Sequence, residues 1–268
     1  MLLCKTMEVT RSGYYAYEKN KLSRGNNTLL IVEIRALHIQ NRKAYGSRRL
    51  AKALRLKGYQ LGRYKTRKLM QEAKIECKQR RRYRYCVAKK PQLPLAENLL
   101  NRKFSVDRPN KAWVSDITNV WTEEGWLYLA IVLDLFSRAV VGWACEDHMR
   151  ESLVCDALMM AITIRQPAPG LLHHSDQGSQ YTSQVYRALL EKHGIESSMS
   201  RRGTCLDNAV IERFNGSFKT EEVYQKKYMT KQQAKSEIAD YIERFYNSER
   251  LHSTIGYISP RDYERTRC

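Results

Sequence analysis

The segment KAWVSDITNVWTEEGWLYLAIVLDLFSRAVVGWACE, residues 111–146, constrains the fold more than any other stretch. It divides into three strands. Trp113–Trp121 is the first, a turn follows near Glu124-Gly125, and Trp126–Leu135 is nearly all apolar. A strand without a polar face belongs inside a sheet that is covered on both sides. After the polar break at Ser137-Arg138, Ala139–Ala144 makes the third strand. The next stretch, ESLVCDALMMAITIR, reads as a helix with Leu153, Ala157, Met160 and Ile164 along one stripe. PAPGLLHHS leads into a fourth strand, SQVYRALLEKHG is a helix stopping at Gly194, and IESSMS is a short fifth strand. LDNAVIERFNGSFKTEEVY closes the series as a helix, with Val210, Phe214 and Phe218 on one side. This order predicts an α/β fold: a mixed sheet covered by helices.

A length of 268 residues leaves room for about two domains, and the charge marks where they divide. Residues 1–100 carry 25 Lys and Arg against 6 Asp and Glu, whereas residues 101–268 carry 22 of each. The whole formal net charge of +19 therefore lies in the first hundred residues. Such a block attracts polyanions, nucleic acid foremost; a merely solubilising surface is the alternative. No apolar run approaches the roughly 18–20 residues of a membrane span, and no signal-peptide pattern opens the chain. The seven cysteines are odd in number and form no CxxC pair, which argues against a disulfide frame or structural zinc. A cytoplasmic protein with no membrane partner is expected.

Within residues 1–75 the pattern is helical. Leu30, Ile34 and Leu37 recur at helical spacing, and GSRRLAKALRLKGYQLGRYKTRKLMQEAKI divides at Gly58 and Gly62. Its first half places Leu50, Leu54 and Leu56 near one side; its second turns Leu69, Met70 and Ala73 inward. Arg63, Lys65, Arg67 and Lys68 are left for the outside, a helix-turn-helix arrangement with a basic face for DNA. Residues 76–104 read as a basic linker. Arg80, Arg81, Arg82 and Arg84 alternate with Tyr83 and Tyr85 before Pro91 and Pro94, suited to gripping phosphate and stacking on bases or to acting as a tether. Residues 105–268 form the third region, an acid-bearing core with C-terminal helices.

In that core, Asp176 sits at the end of a strand in LLHHSDQGSQYTSQVY, Asp116 lies in the first strand, and Glu212 lies in the last helix of the series. On that helix Asn208, Glu212, Asn215 and Lys219 follow at offsets of four, three and four, which makes one polar face. Three carboxylates converging from three elements stay ionised only beside a compensating cation. Oxygen ligands favour Mg²⁺ or Mn²⁺, and two such ions suit phosphodiester chemistry. Asp134 and Asp207 are set apart: the first as a residue bonding locally at a strand end, the second as the cap of the last helix.

Three stretches occur in order: HHSDQGSQYTS, SRRGTCLDNAVIERFNGSFKTE and YNSERLHSTIGYISP. Asp176 and Glu212 have 35 residues between them, and Lys219 follows Glu212 by seven. Together these resemble the OrfB-type transposases of the IS-three family of bacterial insertion sequences, whose catalytic core resembles retroviral integrase and has the ribonuclease-H fold. The resemblance covers nearly the whole chain. It implies that Asp116, Asp176 and Glu212 are the catalytic triad, holding two Mg²⁺ ions with Mn²⁺ as a substitute. It also implies that Lys219 contacts element-end DNA, with Asn208 and Asn215 on the same face. The implied reaction cuts one strand at an element end, and the freed 3′-OH attacks a second phosphodiester with no covalent enzyme intermediate. Ser175, Ser179 and Tyr181 then fit as loop and helix-start residues rather than nucleophiles. His173 and His174 fit packing or a DNA contact, and Gly178 permits a turn near the site. The implied partners are element-end and target DNA, other copies of this chain on DNA, and the upstream-frame (OrfA) product of the element, as a separate chain or a frameshift fusion. Two other readings stay open: a catalytically silent DNA-binding regulator derived from a transposase, and a structure-specific nuclease of the same fold.

Overall fold

Thr10 caps a long N-terminal helix: its side chain accepts a hydrogen bond from Gly13 N at 3.1 Å. In the computed structural model, which describes residues 4, 6–78, 96–201 and 204–267, this helix α1 runs unbroken over Arg11–Gln40. It takes in the periodic stretch that contains Leu30, Ile34 and Leu37, all three of which are buried. Helices α2 (Ser47–Leu56) and α3 (Arg63–Glu72) follow, with Arg55 Nε bonding Leu61 O at 2.8 Å across the turn. Leu50, Leu54, Leu69, Met70 and Ala73 are buried as expected, but Leu56 is exposed. Two residues beyond Leu54 on a helix, it points to the opposite side from Leu50 and Leu54. These helices belong to one compact unit, Met1–Lys78; a second spans Gln79–Cys268.

The second unit carries the sheet. Strands β1 (Ala112–Thr122), β2 (Gly125–Asp134) and β3 (Val140–Glu146) form an antiparallel meander. Strands β4 (Leu172–Ser175) and β5 (Glu196–Met199) join in parallel, giving the order β3-β2-β1-β4-β5. The mixed sheet expected from the sequence is thus present. Central β2 explains its own composition. Leu127, Leu129, Ile131 and Leu133 enter one core layer, and Ala130 and Val132 enter the other.

Helices α4 (Glu151–Arg165) and α5 (Gln184–Lys192) cover one face. On the other lie α6 (Ala209–Glu221), α7 (Lys231–Ala239) and a π-helical continuation, Asp240–Glu249. Helix α8 (Pro260–Arg267) ends the chain's described part. The buried stripe of α4 is Leu153, Val154, Ala157, Leu158, Ala161 and Ile162 rather than the expected one. Ile164 is exposed and Met160 is only half-buried: the expected stripe has helical spacing too, but the face turned to the sheet is rotated from it toward Val154, Leu158 and Ile162. Beneath Glu221, Arg250 makes a buried two-pronged ion pair at 2.7 Å, joined by the Tyr241 hydroxyl at 2.9 Å.

The linker drawn at 76–104 is shorter at its C-terminal end. Leu100 is buried in the second unit, and Leu99 N and Leu100 N both donate to Ser198 Oγ. Arg80, Arg81, Arg82 and Arg84 lie outside the described residues. Among the described residues no helix is long and apolar enough to cross a membrane.

Sheet and helix approach each other tightly at Gly142 on β3. A Cβ there would stand 2.2 Å from Ala157 O and 2.7 Å from Ala161 Cβ. Gly142→Ala is therefore expected to destabilise this unit by about 1–3 kcal/mol. All four tryptophans lie between residues 113 and 143, so urea unfolding followed by their fluorescence reads this unit. An unchanged midpoint would show that β3 and α4 have room to separate.

Candidate active site

The site begins with a register. Parallel β1 and β4 pair Ala112 with Leu172, Trp113 with His173 and Val114 with His174. Carried two residues further, the same offset sets Asp116 level with Asp176. Adjacent strands lie about 4.8 Å apart, so two carboxylates distant in sequence become neighbours. The turn after β4 orients the second of them. Gly178 N donates to Asp176 Oδ1 at 2.9 Å, and Tyr181 N donates to Gly178 O at 3.1 Å. A Cβ on Gly178 would lie 3.0 Å from Asp176 Oδ1 and 3.1 Å from Gln180 Oε1, so the turn is tight enough to favour glycine.

Helix α6 lies along β1 and is tied to it by its polar face. Asn208 Nδ2 donates to Ser115 O at 3.2 Å, and Asn215 Nδ2 donates to Asp116 Oδ2 at 2.8 Å. One turn on, Lys219 Nζ bonds Asn119 O and reaches Asn119 Oδ1 at 2.9 Å. Glu212 lies on this face between Asn208 and Asn215, and so toward the Ser115–Asp116 stretch. Three elements thus bring Asp116, Asp176 and Glu212 to one region.

The electrostatics agree with that placement. Burial first, then the charges of Asp176 and Glu212, together push the Asp116 carboxyl up to about 8 against the bonds from Ile117 N and Asn215. Partial desolvation raises Asp176 and Glu212 as well, although both side chains still reach solvent. Lys219 is pushed down to about 8 by burial. The three carboxylates are not drawn together as tightly as Glu146, Asp147 and His148, whose ligand atoms lie within 4.8 Å of one another. That cluster is partly neutralised by Lys235 on Glu146 and Lys231 on Asp147.

Three family models match the chain: "Integrase core domain" over residues 106–205, a second of that description over 193–260, and "HTH-like domain" over 25–83. A 31 kDa protein of insertion element IS600 from Shigella sonnei is 41% identical, over 96% of this chain and 96% of its own length. The transposase InsF for insertion sequence IS3A of Escherichia coli (strain K12) is 35% identical, over 98% of this chain and 92% of its own length. The chain belongs to the IS3 family of transposases.

A chain of the simian T-cell lymphotropic virus intasome, solved in complex with PP2A regulatory subunit B56 gamma, has a similar fold. Its TM-score is 0.51 and its identity 18%, over 86% of this chain and 74% of that one. The transposase's core is accordingly of the retroviral-integrase, ribonuclease-H-like type, in agreement with the sequence.

Several expected roles sit differently in the transposase. Asn208 is buried, and its side chain anchors α6 to β1 instead of facing outward. Asn215 is occupied with Asp116. Asp207 does not cap α6; Asn208 takes that position. The Asp207 carboxylate is buried, and accepts from Asn98 Nδ2 at 2.9 Å, Arg102 Nε at 2.7 Å and Arg201 N at 3.1 Å. Desolvation opposes its ionisation, but Arg201 and Arg102 outweigh it and hold the carboxyl well below the ordinary range. Asp134 bonds locally only to Phe136 N, at 2.7 Å; it also accepts from two residues distant in sequence, Asn110 N at 2.7 Å and Trp113 Nε1 at 3.2 Å.

His173 bonds Ser115 Oγ at 2.7 Å and Tyr186 Oη at 3.0 Å, while His174 bonds Ser198 and Ser200. Burial depresses both, to about 3 and about 4, so both are neutral packing residues. On α3, Arg63, Lys65, Arg67 and Lys68 are all exposed. Two residues near the carboxylates carry little signal in the sequence: Asn119, which meets Lys219, and Tyr181, whose position there reads only as loop or helix start. Alternation along β1 assigns Asn119 to the face opposite Asp116, so no pattern in the sequence points to its bond with Lys219.

Asp116 makes ion-free stability depend on pH. The folded state holds this proton more tightly than the unfolded chain, so stability falls as pH rises from the ordinary carboxylate value of 3.8 through about 8. In EDTA, the Tm drop between about pH 6 and about pH 8.5 should be smaller for Asp116→Asn than for the unaltered chain. Parallel curves would place the proton elsewhere.

Proposed function

We propose that this transposase cuts DNA strands at insertion-sequence ends and joins them to a target, with Asp116, Asp176 and Glu212 holding two Mg²⁺ ions, or Mn²⁺ as a substitute. The observation that carries this reading is the shared register of Asp116 and Asp176 beneath a helix that presents Glu212. The donor set fits the ions: it is all oxygen, it is negative, and one member retains its proton near neutrality without a cation. Bound there, the ions would activate a water or a DNA 3′-hydroxyl and neutralise charge developing on the phosphate.

The protein's own groups do the rest. The Gly178 N–H fixes one Asp176 oxygen, leaving the other to face the site. Asn215 covers an Asp116 oxygen until a stronger partner competes for it. Lys219, held against Asn119 and two turns along α6 from Glu212, supplies positive charge for a DNA phosphate. His173 and His174 are neutral and fully engaged, which fits a direct in-line transfer that needs no protein nucleophile. The exposed basic face of α3 is the proposed DNA reader, and the arginines at 80, 81, 82 and 84 a second grip. Assembly with further copies on DNA, and with the upstream-frame product, belongs to the same reading.

Incubation with labelled element ends and Mg²⁺, with and without the upstream-frame product, tests the catalytic assignment. Asp176→Asn should lose cleavage and strand transfer by roughly 100-fold or more while still binding DNA. Cleavage that survives would remove Asp176 from the mechanism. Replacing Arg63, Lys65, Arg67 and Lys68 with Ala should weaken binding and flatten the log–log salt dependence by up to about 0.9 for each phosphate no longer neutralised. An unaltered slope would mean that α3 does not touch the DNA backbone.

A further inference from the structure

Tyr181 is 2% exposed, and its Oη has no hydrogen-bond partner among the described residues. Its surroundings make this unusual. The neighbouring Tyr186 hydroxyl, equally enclosed, bonds His173 Nε2 at 3.0 Å, and buried hydroxyls as a rule find partners. The ring is fixed edge-on to Tyr186, with centroids 5.4 Å apart. It is also built into the turn that aims Asp176: a Cβ placed on Gly178 would stand 3.0 Å from Asp176 Oδ1 and 3.6 Å from Tyr181 Cδ2. Burial, then the charges of Tyr186, Asp116 and Asp176, hold the proton on the hydroxyl. It is therefore a donor at any working pH, within the field of two of the three acids.

We propose that Tyr181 is a positioning residue: its hydroxyl donates a hydrogen bond to a carboxylate oxygen of the Asp116–Asp176 pair when that pair takes up a divalent cation. This rests on the reading that Asp116 and Asp176 hold the ions. A ligating carboxylate leaves lone pairs that a fixed donor can orient, and such supporting bonds are commonly worth about 10–100-fold in metal affinity. Asn215 holds Asp116 in the ion-free protein; Tyr181 holds the pair in the loaded one. The hydroxyl thus goes without a protein bond in one state in order to make one in the other.

The test is a Mg²⁺ titration of the full chain followed by Tm, on the unaltered protein, Tyr181→Phe and Asp176→Asn. Without ions, Tyr181→Phe should melt at the same temperature as the unaltered chain or slightly higher, because no protein bond is removed. The Mg²⁺ concentration giving half of the Asp176-dependent rise should increase about tenfold or more. A lower ion-free Tm with an unchanged Mg²⁺ midpoint would show a purely structural tyrosine and overturn the proposal. If Mg²⁺ stabilises the unaltered chain no more than Asp176→Asn, the carboxylate site itself fails, and the tyrosine inference with it.

Discussion

Everything at the site depends on the parallel pairing of β1 with β4. Three ladder pairs fix the offset between two segments that are far apart in the chain, and the offset alone decides whether Asp116 and Asp176 meet. A slip of one residue would turn one of the two carboxylates to the opposite face of the sheet. The register is held by burial on both sides: Trp113 and His173 pack toward α4 and α5, while Val114 faces the α6 layer. Helix α6 then adds its own constraint, since bonds from Asn208 and Asn215 to consecutive β1 residues leave Glu212 little choice of position.

Bringing acids together costs free energy that the ion-free protein limits in identifiable ways. Asp116 keeps its proton to about 8 and accepts from Ile117 N and Asn215 Nδ2. Elsewhere the same unit handles acids oppositely. Asp207 and Glu221 are buried and ionised, each with arginine partners in direct contact. An acid held by an arginine is a structural acid. Acids held by an amide side chain and by backbone N–H groups, as Asp116 and Asp176 are, have no cationic partner in these bonds and can take a metal ion as one. In the transposase both kinds occur within a few residues on and around α6.

Much of this is legible in the sequence because it is local. The apolar β2, the strand ends and the extent of α4 follow from patterns spanning a turn or two, and the polar face Asn208–Glu212–Asn215–Lys219 follows from helical spacing. What each member of that face touches is not legible. Asn215 meets a residue 99 positions away and Lys219 one 100 positions away, and no spacing rule reports that. Asp207 departs from expectation for the same reason. At a helix start an aspartate reads as a cap, whereas its partner Arg102 lies 105 residues away in a stretch that composition alone marks as linker. Tyr181 is silent in the sequence because a tyrosine in a turn carries no signal until its hydroxyl is seen to lack a bond.

The acids from β1, the turn after β4 and α6 form one cation site on this account. Crystals of the transposase grown with Mn²⁺ and measured for anomalous scattering test it most directly. The account predicts two manganese peaks about 3.5–4 Å apart, ligated by Asp116, Asp176 and Glu212, with Asn215 displaced from Asp116. Manganese found only at Glu146, Asp147 and His148, with Asp116 still bonded to Asn215, would contradict it.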